Sequence, residues 1–346
     1  MRGWKAAFQV AATYIGTVVG AGFASGQEIM QFFTVHGLYG AFAIAISTLL
    51  FIWLGCKMMS IARGQQCFSF RELNVLLFGP KLAWLVNGMA LLILFGTTGV
   101  MLSGSGSLFA EQLGFAPQLG ILLTMALCLI VMWNGMKGVL WINSLVVPVM
   151  LLFTLILAVR LTGEDWGNAP LAAGSHGKWL WSALLYAGFN LAMAQAVLVP
   201  VGHESGQESV IRRGGILGGI GLGVMLLTSH FSLWIDWDRV KDLDIPIARL
   251  ISTYGNWMAI LFAIVVYGEI FTTVAGNVFG LARQLQSIWK LAPLAGATLI
   301  LFGSFLLSQW GFRSLVSSLY PAFGVIGLAF IARIAIFRQP AGKSDP

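Results

Sequence analysis

The chain has 346 residues, of which 58% are hydrophobic and only 10% are charged. Soluble proteins carry about 25% charged residues, so this chain has too few polar side chains to cover a water-facing surface. The 20 Lys and Arg exceed the 13 Asp and Glu, but they are scattered at the ends of apolar runs, as in loops that face a cytoplasm. These features exclude an ordinary soluble protein and a nucleic-acid partner, and they indicate an integral protein of the lipid bilayer.

Ten stretches of the chain are apolar and long enough to be spanning helices, each of which needs about 20 predominantly apolar residues. We therefore predict an all-α integral membrane protein with ten transmembrane helices, in which residues 1–346 form a single transmembrane domain. The predicted spans are 6–36 (interrupted), 38–60, 81–111, 117–135, 139–161, 178–202, 214–236, 256–284, 291–310 and 313–337.

Polar segments connect several of these spans. None resembles a separate soluble domain, and the segment around 243–254 has the pattern of a short amphipathic helix lying on one surface. The long polar connections are 61–80, 162–177, 203–213 and 236–255.

The distribution of basic residues predicts the orientation of the chain. With the N-terminus in the cytoplasm, fourteen Lys and Arg fall on the inner side and six on the outer side, which together make the 20. Because cytoplasmic loops carry the excess of positive charge, we expect both termini in the cytoplasm. The expected location is the inner (plasma) membrane of a bacterium.

Two short segments recur at the same distance along the chain. Tyr14-Ile-Gly16 in the first helix matches Tyr186-Ala-Gly188 in the sixth, 172 residues later. Phe95-Gly-Thr97 in the third helix matches Tyr267-Gly-Glu269 in the eighth at the same offset. Because five helices separate the members of each pair, the second half enters the membrane from the opposite side, as in the inverted repeats of secondary transporters. The halves of this predicted 5+5 repeat are residues 6–161 and 178–337.

The first helix is rich in glycine near its middle. Gly16, Gly20, Gly22 and Gly26 fall within eleven residues, and each glycine in a helix costs roughly 1 kcal/mol relative to alanine. One interpretation is close packing of neighbouring helices, for which small residues on a single face suffice. The last three glycines fall on different faces, which favours a break near 20–26, where unwound backbone lines a wet cavity and contacts a ligand.

The corresponding part of the sixth helix carries two amides in an apolar span. Asn190 and Gln195 follow Gly188 along this helix. A hydrogen bond to a neighbouring helix, usually worth about 1 kcal/mol or less, is one interpretation of such residues. Because of the repeat, we also predict a second break here and a solute site shared by the two broken helices.

The eighth helix contains Glu269, followed by Thr272, Thr273 and Asn277. A carboxylate in mid-membrane is costly, so it indicates a functional site unless it only bonds a neighbouring helix. Adjacent threonines commonly donate to the carbonyl four residues earlier. Alternatively, their hydroxyls and the Glu269 carbonyl bring three oxygens together, an environment that suits a hard cation such as sodium.

The segment from Val19 to Glu28, Val-Gly-Ala-Gly-Phe-Ala-Ser-Gly-Gln-Glu, and the ten-helix plan resemble the YkvI family of bacterial amino-acid permeases. More distantly, the chain is similar to sodium-coupled transporters of the LeuT fold in the APC superfamily. This resemblance implies that helices 1 and 6 are broken and that a sodium ion lies between the first and eighth helices. The ligands it implies are the carbonyls of Gly16, Val19 and Glu269 and the hydroxyls of Thr272 and Thr273.

The sequence departs from the amino-acid symporters at Glu269, where those proteins usually have a small residue. A proton is therefore a competing coupling ion. We expect Glu269 to be a coupling or amine-binding carboxylate. Glu28 is the weaker candidate for a coupling role. Gating through a hydrogen bond, or a negative charge near a helix N-terminus, explains this residue equally well.

We expect the solute at mid-membrane, between residues 20–26 and 190–196. The half-helix that starts near Ser25 offers unpaired amides and a positive dipole to a carboxylate. Aromatic side chains from three helices would close over the apolar part of the solute. The predicted solute-binding residues are Gly20, Ala21, Gly22, Phe23, Ser25, Gly26, Phe95, Phe189, Asn190, Met193, Gln195 and Glu269.

The sequence thus predicts a sodium-coupled symporter that carries a small zwitterionic solute, such as an amino acid, by alternating access. It contains no nucleophile triad, phosphate-binding loop or redox motif, so no enzyme is predicted. A proton-coupled transporter of the same fold, and a channel or sensor on this scaffold, are the alternatives. The inverted repeat and the broken helices favour a transporter, because alternating access moves one half against the other about a central site.

Overall fold

The computed structural model describes residues 2–134, 137–163 and 177–338, and all regular secondary structure in these ranges is helical. The predicted all-α class is therefore confirmed, whereas most of the predicted connection at 162–177 lies outside the described residues. The helices are α1 (Arg2–Val18), α2 (Ala21–Ser25), α3 (Gln27–Phe32), α4 (Leu38–Gly64), α5 (Phe70–Leu113), α6 (Pro117–Asn134), α7 (Lys137–Leu161), α8 (Lys178–Glu204), α9 (Glu208–Ile235), α10 (Trp237–Val240), α11 (Pro246–Ser252), α12 (Asn256–Trp289), α13 (Pro293–Ser308) and α14 (Phe312–Ile336).

The helices are those of a multi-pass membrane protein. Within the described ranges, six are long and apolar enough to cross a bilayer, namely α4, α5, α8, α9, α12 and α14. Shorter apolar stretches lie in α6, α7 and α13. The first predicted span instead consists of the short helices α1, α2 and α3, and the number of crossings stays a prediction.

The break in the first helix lies where two sets of packed helices meet. In one set, α8 packs against α4 and α14, while α1 packs against α9. In the other, α12 packs against α5 and α13. Because α1 contacts α8 and α2 contacts α12, the backbone between α1 and α2 is placed where the two sets meet.

The first helix is interrupted twice, within the segment where the glycines predict a break. The Gly20 N–H donates to the Val18 carbonyl at 3.0 Å, and not to the Gly16 carbonyl as a continuing helix requires. Gly20 itself is extended, with φ −106° and ψ −174°. Gly26 adopts the left-handed conformation, with φ 88°, between α2 and α3.

The predicted break in the sixth helix is wrong, because α8 is helical from Lys178 to Glu204. Its two amides bond within their own helix. Asn190 Nδ2 donates to the Tyr186 carbonyl at 3.0 Å. Gln195 Nε2 donates to a carbonyl three residues earlier at 2.8 Å. An amide satisfied in this way does not require unwound backbone.

The glycine that suggested this break serves close packing. A Cβ at Gly188 would lie 2.9 Å from the Gly324 carbonyl oxygen of α14. The backbones of α8 and α14 therefore approach each other, as small residues permit in membrane helices.

The predicted polar connection 61–80 contains an unexpected helical segment. Ser69 accepts a hydrogen bond from the Glu72 amide at 3.4 Å, and the Glu72 carboxylate accepts one from the Phe68 amide at 2.7 Å. These two bonds cap the start of α5 at Phe70. They differ from a standard capping box in that Glu72 bonds the amide of the residue before the N-cap, Ser69. The helix then kinks at Gly79, with φ 76° and ψ 163°, immediately before Pro80.

The short helix predicted around 243–254 is present as α11, but it is not an isolated surface helix. Its apolar side chains are buried against α12, α9 and α2. The Glu111 carboxylate at the end of α5 holds the preceding loop by accepting from the amides of Asp244 and Ile245 at 2.7 and 3.0 Å. Ser107 also donates to the Asp244 carboxylate at 2.6 Å. The loop and α11 thus cover Gly26, because a Cβ there would lie 2.7 Å from the Ile247 side chain.

Replacing Gly26 with alanine should destabilise the protein. The substitution forces an L-residue to φ 88° and places its Cβ against Ile247, and strain of this kind costs of order 1–3 kcal/mol. We expect a melting temperature several degrees lower for the detergent-solubilised protein, measured by fluorescence-detected size-exclusion after heating.

Gly20→Ala is the matched control for this substitution. Gly20 has an extended conformation that alanine adopts readily, and no atom lies within 4 Å of the position of its Cβ. Its melting temperature should stay close to that of the parent. Equal losses in the two variants would contradict the structural role assigned to Gly26.

Candidate functional site

A cavity of about 250 Å³ lies beside the break in the first helix. One wall is the chain from Gly16 to Gly22, together with Glu28 of α3. The other walls come from α5, α8, α12 and α14. The cavity therefore lies where the two sets of helices meet and where the chain has left its helical hydrogen-bonding pattern.

Two acidic side chains face this cavity. Glu28 is 4% exposed and Glu269 is 2% exposed. Glu28 Oε2 and Glu269 Oε1 are buried and have no hydrogen-bond partner among the described residues. Because a buried polar group without a partner is costly, these two oxygens indicate a ligand, a proton or water in the cavity.

The residues predicted to bind sodium all line this cavity: Gly16, Val19, Glu269, Thr272 and Thr273. The hydroxyls of Thr272 and Thr273 donate to the Glu269 carbonyl at 3.2 and 2.7 Å, as the simpler interpretation predicts. Each hydroxyl oxygen keeps lone pairs that are free to coordinate a cation.

The backbone at the break leaves a further oxygen without its helical hydrogen bond. The Gly16 carbonyl lacks the bond that a continuous helix would give it from the Gly20 amide. Together, the carbonyl and the two threonine hydroxyls offer neutral oxygens, which suit a hard monovalent cation. Among the described residues there is no cluster of three His, Cys, Asp or Glu that would hold a transition metal.

The structure brings seven of the predicted solute-binding residues to the cavity wall. They are Gly20, Ala21, Gly22, Phe189, Asn190, Met193 and Glu269. The Asn190 side-chain nitrogen donates to the Tyr186 carbonyl. The side-chain oxygen of Asn190 is therefore the group that can accept a hydrogen bond from a ligand.

The other predicted solute-binding residues do not line the cavity. Phe23 is buried on α2. Ser25 donates to the Gly22 carbonyl at 2.9 Å, and Gly26 faces Ile247. Phe95 lies against Gly303 of α13, while Gln195 lines a separate small pocket between α5 and α8.

Sequence reasoning missed several residues of the wall. Tyr320 of α14 lies against Phe189, with ring centroids 4.4 Å apart and planes inclined by 31°. Thr97 of α5 accepts a hydrogen bond from Asn277 of α12 at 3.0 Å. The repeat match at Phe95-Gly-Thr97 was a signal for Thr97, whereas the sequence gives no comparable signal for Tyr320. Other lining residues that were not predicted are Thr17, Val18, Met101 and Gly276.

Solved structures of transporters share the fold of this chain. Mhp1, a nucleobase-cation-symport-1 family transporter, matches in its inward-facing form with a TM-score of 0.69, at 18% identity, over 95% of this chain and 76% of Mhp1. MhsT in complex with L-phenylalanine matches with a TM-score of 0.65, at 16% identity, over 93% of this chain and 87% of MhsT. A Na⁺-coupled sialic acid symporter matches with a TM-score of 0.60, at 12% identity, over 93% and 75%. These likenesses show the LeuT fold that the sequence resemblance implied.

No protein-family model matches the chain, but a similar protein identifies the family to which it belongs. The membrane protein YkvI of Bacillus subtilis (strain 168) is 39% identical over 343 residues, which cover 98% of this chain and 98% of YkvI. The resemblance first noted between Val19 and Glu28 therefore extends along nearly the whole sequence. The chain belongs to the YkvI family of membrane proteins.

Proposed function

We propose that this protein is a secondary transporter that moves a small solute across the bacterial plasma membrane by alternating access. The observation that carries this proposal is the cavity beside the broken first helix. It is lined by Glu28 and Glu269, each with a buried carboxyl oxygen that has no hydrogen-bond partner among the described residues. Non-helical backbone at membrane depth is tolerated where it lines such a cavity, and this is how transporters of several folds bind their solutes. The transporters Mhp1 and MhsT, which share the fold, support it.

The proposed architecture has ten transmembrane helices in two inverted repeats of five, residues 6–161 and 178–337, within one domain. The equal offset of the two sequence matches supports it. Both termini face the cytoplasm, since that orientation places most Lys and Arg on the inner side. Alternating access then consists of rocking one set of helices against the other about the cavity.

Sodium is the proposed coupling ion. It binds at the Gly16 and Val19 carbonyls and at the Glu269–Thr273 turn, where the threonine hydroxyls face the same cavity. A sodium ion here would bridge the first helix and α12, which belong to different packed sets. Its binding would therefore depend on the relative position of the two sets, as coupling requires. The Na⁺-coupled sialic acid symporter of the same fold supports this choice.

The proposed solute carries an ammonium group, and the sequence predicts a zwitterion such as an amino acid. Its amine would lie at Glu269, and its apolar part against Phe189 and Met193. MhsT, which was solved with L-phenylalanine, supports a solute of the size of an amino acid.

Proton coupling is the second candidate, and one observation favours it. A carboxyl group without a hydrogen-bond partner, held away from water, is a suitable carrier for a proton. Glu28 and Glu269 are both buried, and one carboxyl oxygen of each has no hydrogen-bond partner among the described residues.

Replacing Thr272 with alanine and Thr273 with valine should abolish stabilisation by sodium. The double substitution removes both hydroxyl oxygens from α12, with the side-chain volume kept at Thr273 and reduced at Thr272. We expect the purified protein to melt at a higher temperature in NaCl than in KCl, and we expect this difference to disappear in the variant or to require at least about tenfold more sodium.

Two further variants control this experiment. Thr298→Val removes a hydroxyl that also bonds within its own helix, to the Leu294 carbonyl at 2.9 Å, but lies in α13 away from the cavity. It should keep the full sodium effect, and Thr273→Ser should keep most of it. An unchanged sodium effect in the double variant would contradict the proposed sodium site at the two threonines of α12.

Glu269→Gln should distinguish sodium from proton coupling. If the carboxylate faces sodium or the solute ammonium, the variant loses sodium-dependent binding, because the attraction between opposite charges is lost in a site of low dielectric. If it carries the proton, the variant still binds and exchanges solute in proteoliposomes but no longer accumulates it along a pH gradient. We expect the first result.

Glu204→Gln is the matched control, since it removes a carboxylate from the exposed end of α8. It should leave binding and accumulation unchanged. A Glu269→Gln protein that behaves like this control at every pH and sodium concentration would make Glu269 a structural residue only.

A further inference from the structure

We infer that the solute of this cavity carries a net positive charge, and that it is a small organic amine without a compensating carboxylate. The inference rests on the proposed function. It narrows the proposed class of solute from any compound with an ammonium group to those that carry a net positive charge, and it replaces the zwitterion that the sequence predicts. It comes from the charges of the wall, from the place that Glu28 occupies, and from a pair of aromatic side chains in the wall.

The cavity wall carries two acidic groups and no basic one. Glu28 and Glu269 line it, whereas none of its lining residues in the described part of the chain is Lys, Arg or His. The coupling ion, whether sodium or a proton, neutralises one carboxylate. The second carboxylate then needs one positive charge from the solute, because a buried charge without a partner costs several kcal/mol. A zwitterion would add a negative charge for which the wall has no basic side chain.

Glu28 also occupies the place where a solute carboxylate would meet the broken helix. Its side chain folds back from α3 onto Gly22, so closely that a Cβ at Gly22 would overlap the carboxylate. The sequence predicted that a solute carboxylate would bind near Ser25, within the segment 20–26. In the structure, this segment already faces a carboxylate of the protein itself at Gly22. A second carboxylate at this point would be repelled by the first.

The wall formed by α8 and α14 suits an organic cation. Phe189 and Tyr320 lie against each other with centroids 4.4 Å apart, and both line the cavity. Aromatic faces attract ammonium groups, and the attraction is strongest when the cation is removed from water. Met193 adds an adaptable apolar contact, and a volume of about 250 Å³ leaves room for an amine with a short apolar chain.

The test compares compounds that share a skeleton and differ in charge. For each of alanine, leucine and phenylalanine, the panel contains the amino acid, its amide, the amine that lacks the carboxyl group, and the acid that lacks the amino group. Binding to the full-length protein in detergent with NaCl is measured from the concentration dependence of the melting temperature. We expect the amine and the amide of at least one skeleton to bind at least about tenfold more tightly than the amino acid, and the acid not to bind.

Variants at Glu28 link this preference to the structure. Glu28→Gln should reduce the preference for the amine over the amino acid to roughly equal binding, while Glu28→Asp, which keeps the charge, should retain most of it. Glu204→Gln should behave like the parent. Melting without ligand shows whether each variant is folded, and Glu28→Asp keeps the test decisive if Glu28→Gln does not fold.

Three results would overturn the inference. The first is an amino acid that binds as tightly as its amine and amide in every skeleton that binds. The second is the absence of saturable binding by any amine or amide in the panel. The third is saturable stabilisation by Mn²⁺ or Mg²⁺ alone that disappears in Glu28→Gln, since the two carboxylates would then serve a metal ion.

Uptake into proteoliposomes separates this inference from the proposed function. A cationic amine that binds but is not accumulated along a sodium or pH gradient would contradict the transporter and leave the charge preference standing. An amino acid that is accumulated along a sodium gradient, with no preference for its amine, would support the transporter and contradict the inference.

Discussion

The hydrocarbon of a bilayer offers no hydrogen-bond partners, so backbone that leaves a helix must be satisfied inside the protein. This constraint governs the segment from Val19 to Gly26, where the chain leaves and re-enters the helical conformation. The segment is enclosed by α8, α12 and α11 rather than by lipid. The groups left unpaired at the break are therefore directed into one cavity, and the position of the break determines the position of the site.

The all-α class and the break in the first helix could be predicted from the sequence, because spanning helices need long apolar stretches and a cluster of glycines on different faces disfavours a straight helix. The prediction failed where local bonding decides the outcome. Asn190 and Gln195 are polar residues in an apolar span, but their partners are carbonyls of the same helix. The helix-capping residues Ser69 and Glu72 are visible in the sequence. The helix that they start was nevertheless missed, because the segment 61–80 is polar and was predicted as a connection.

Site residues could be predicted where burying the side chain in a membrane costs free energy, as for a carboxylate. They could not be predicted where the side chain is a common apolar one. A buried carboxylate needs an explanation, so Glu269 was expected to be functional, and the structure places it on the cavity wall. Tyr320 and Phe95 are aromatic residues in helices that are apolar on every side. Which of their neighbours they face depends on the rotation of each helix, and packing rather than hydrophobic pattern sets that rotation. Tyr320 therefore faces the cavity, whereas Phe95 faces α13.

Glu28 and Gly26 lie two residues apart in one short segment, and this segment lies between the cavity and α11. Glu28 faces the cavity, and Gly26 contacts Ile247 of α11. The loop before α11 is in turn held by Glu111 at the end of α5. A ligand that shifts the backbone between Gly26 and Glu28 would also shift the surface on which α11 rests. Since packed interfaces have few alternative arrangements, a shift of this kind favours either full contact or separation of α11.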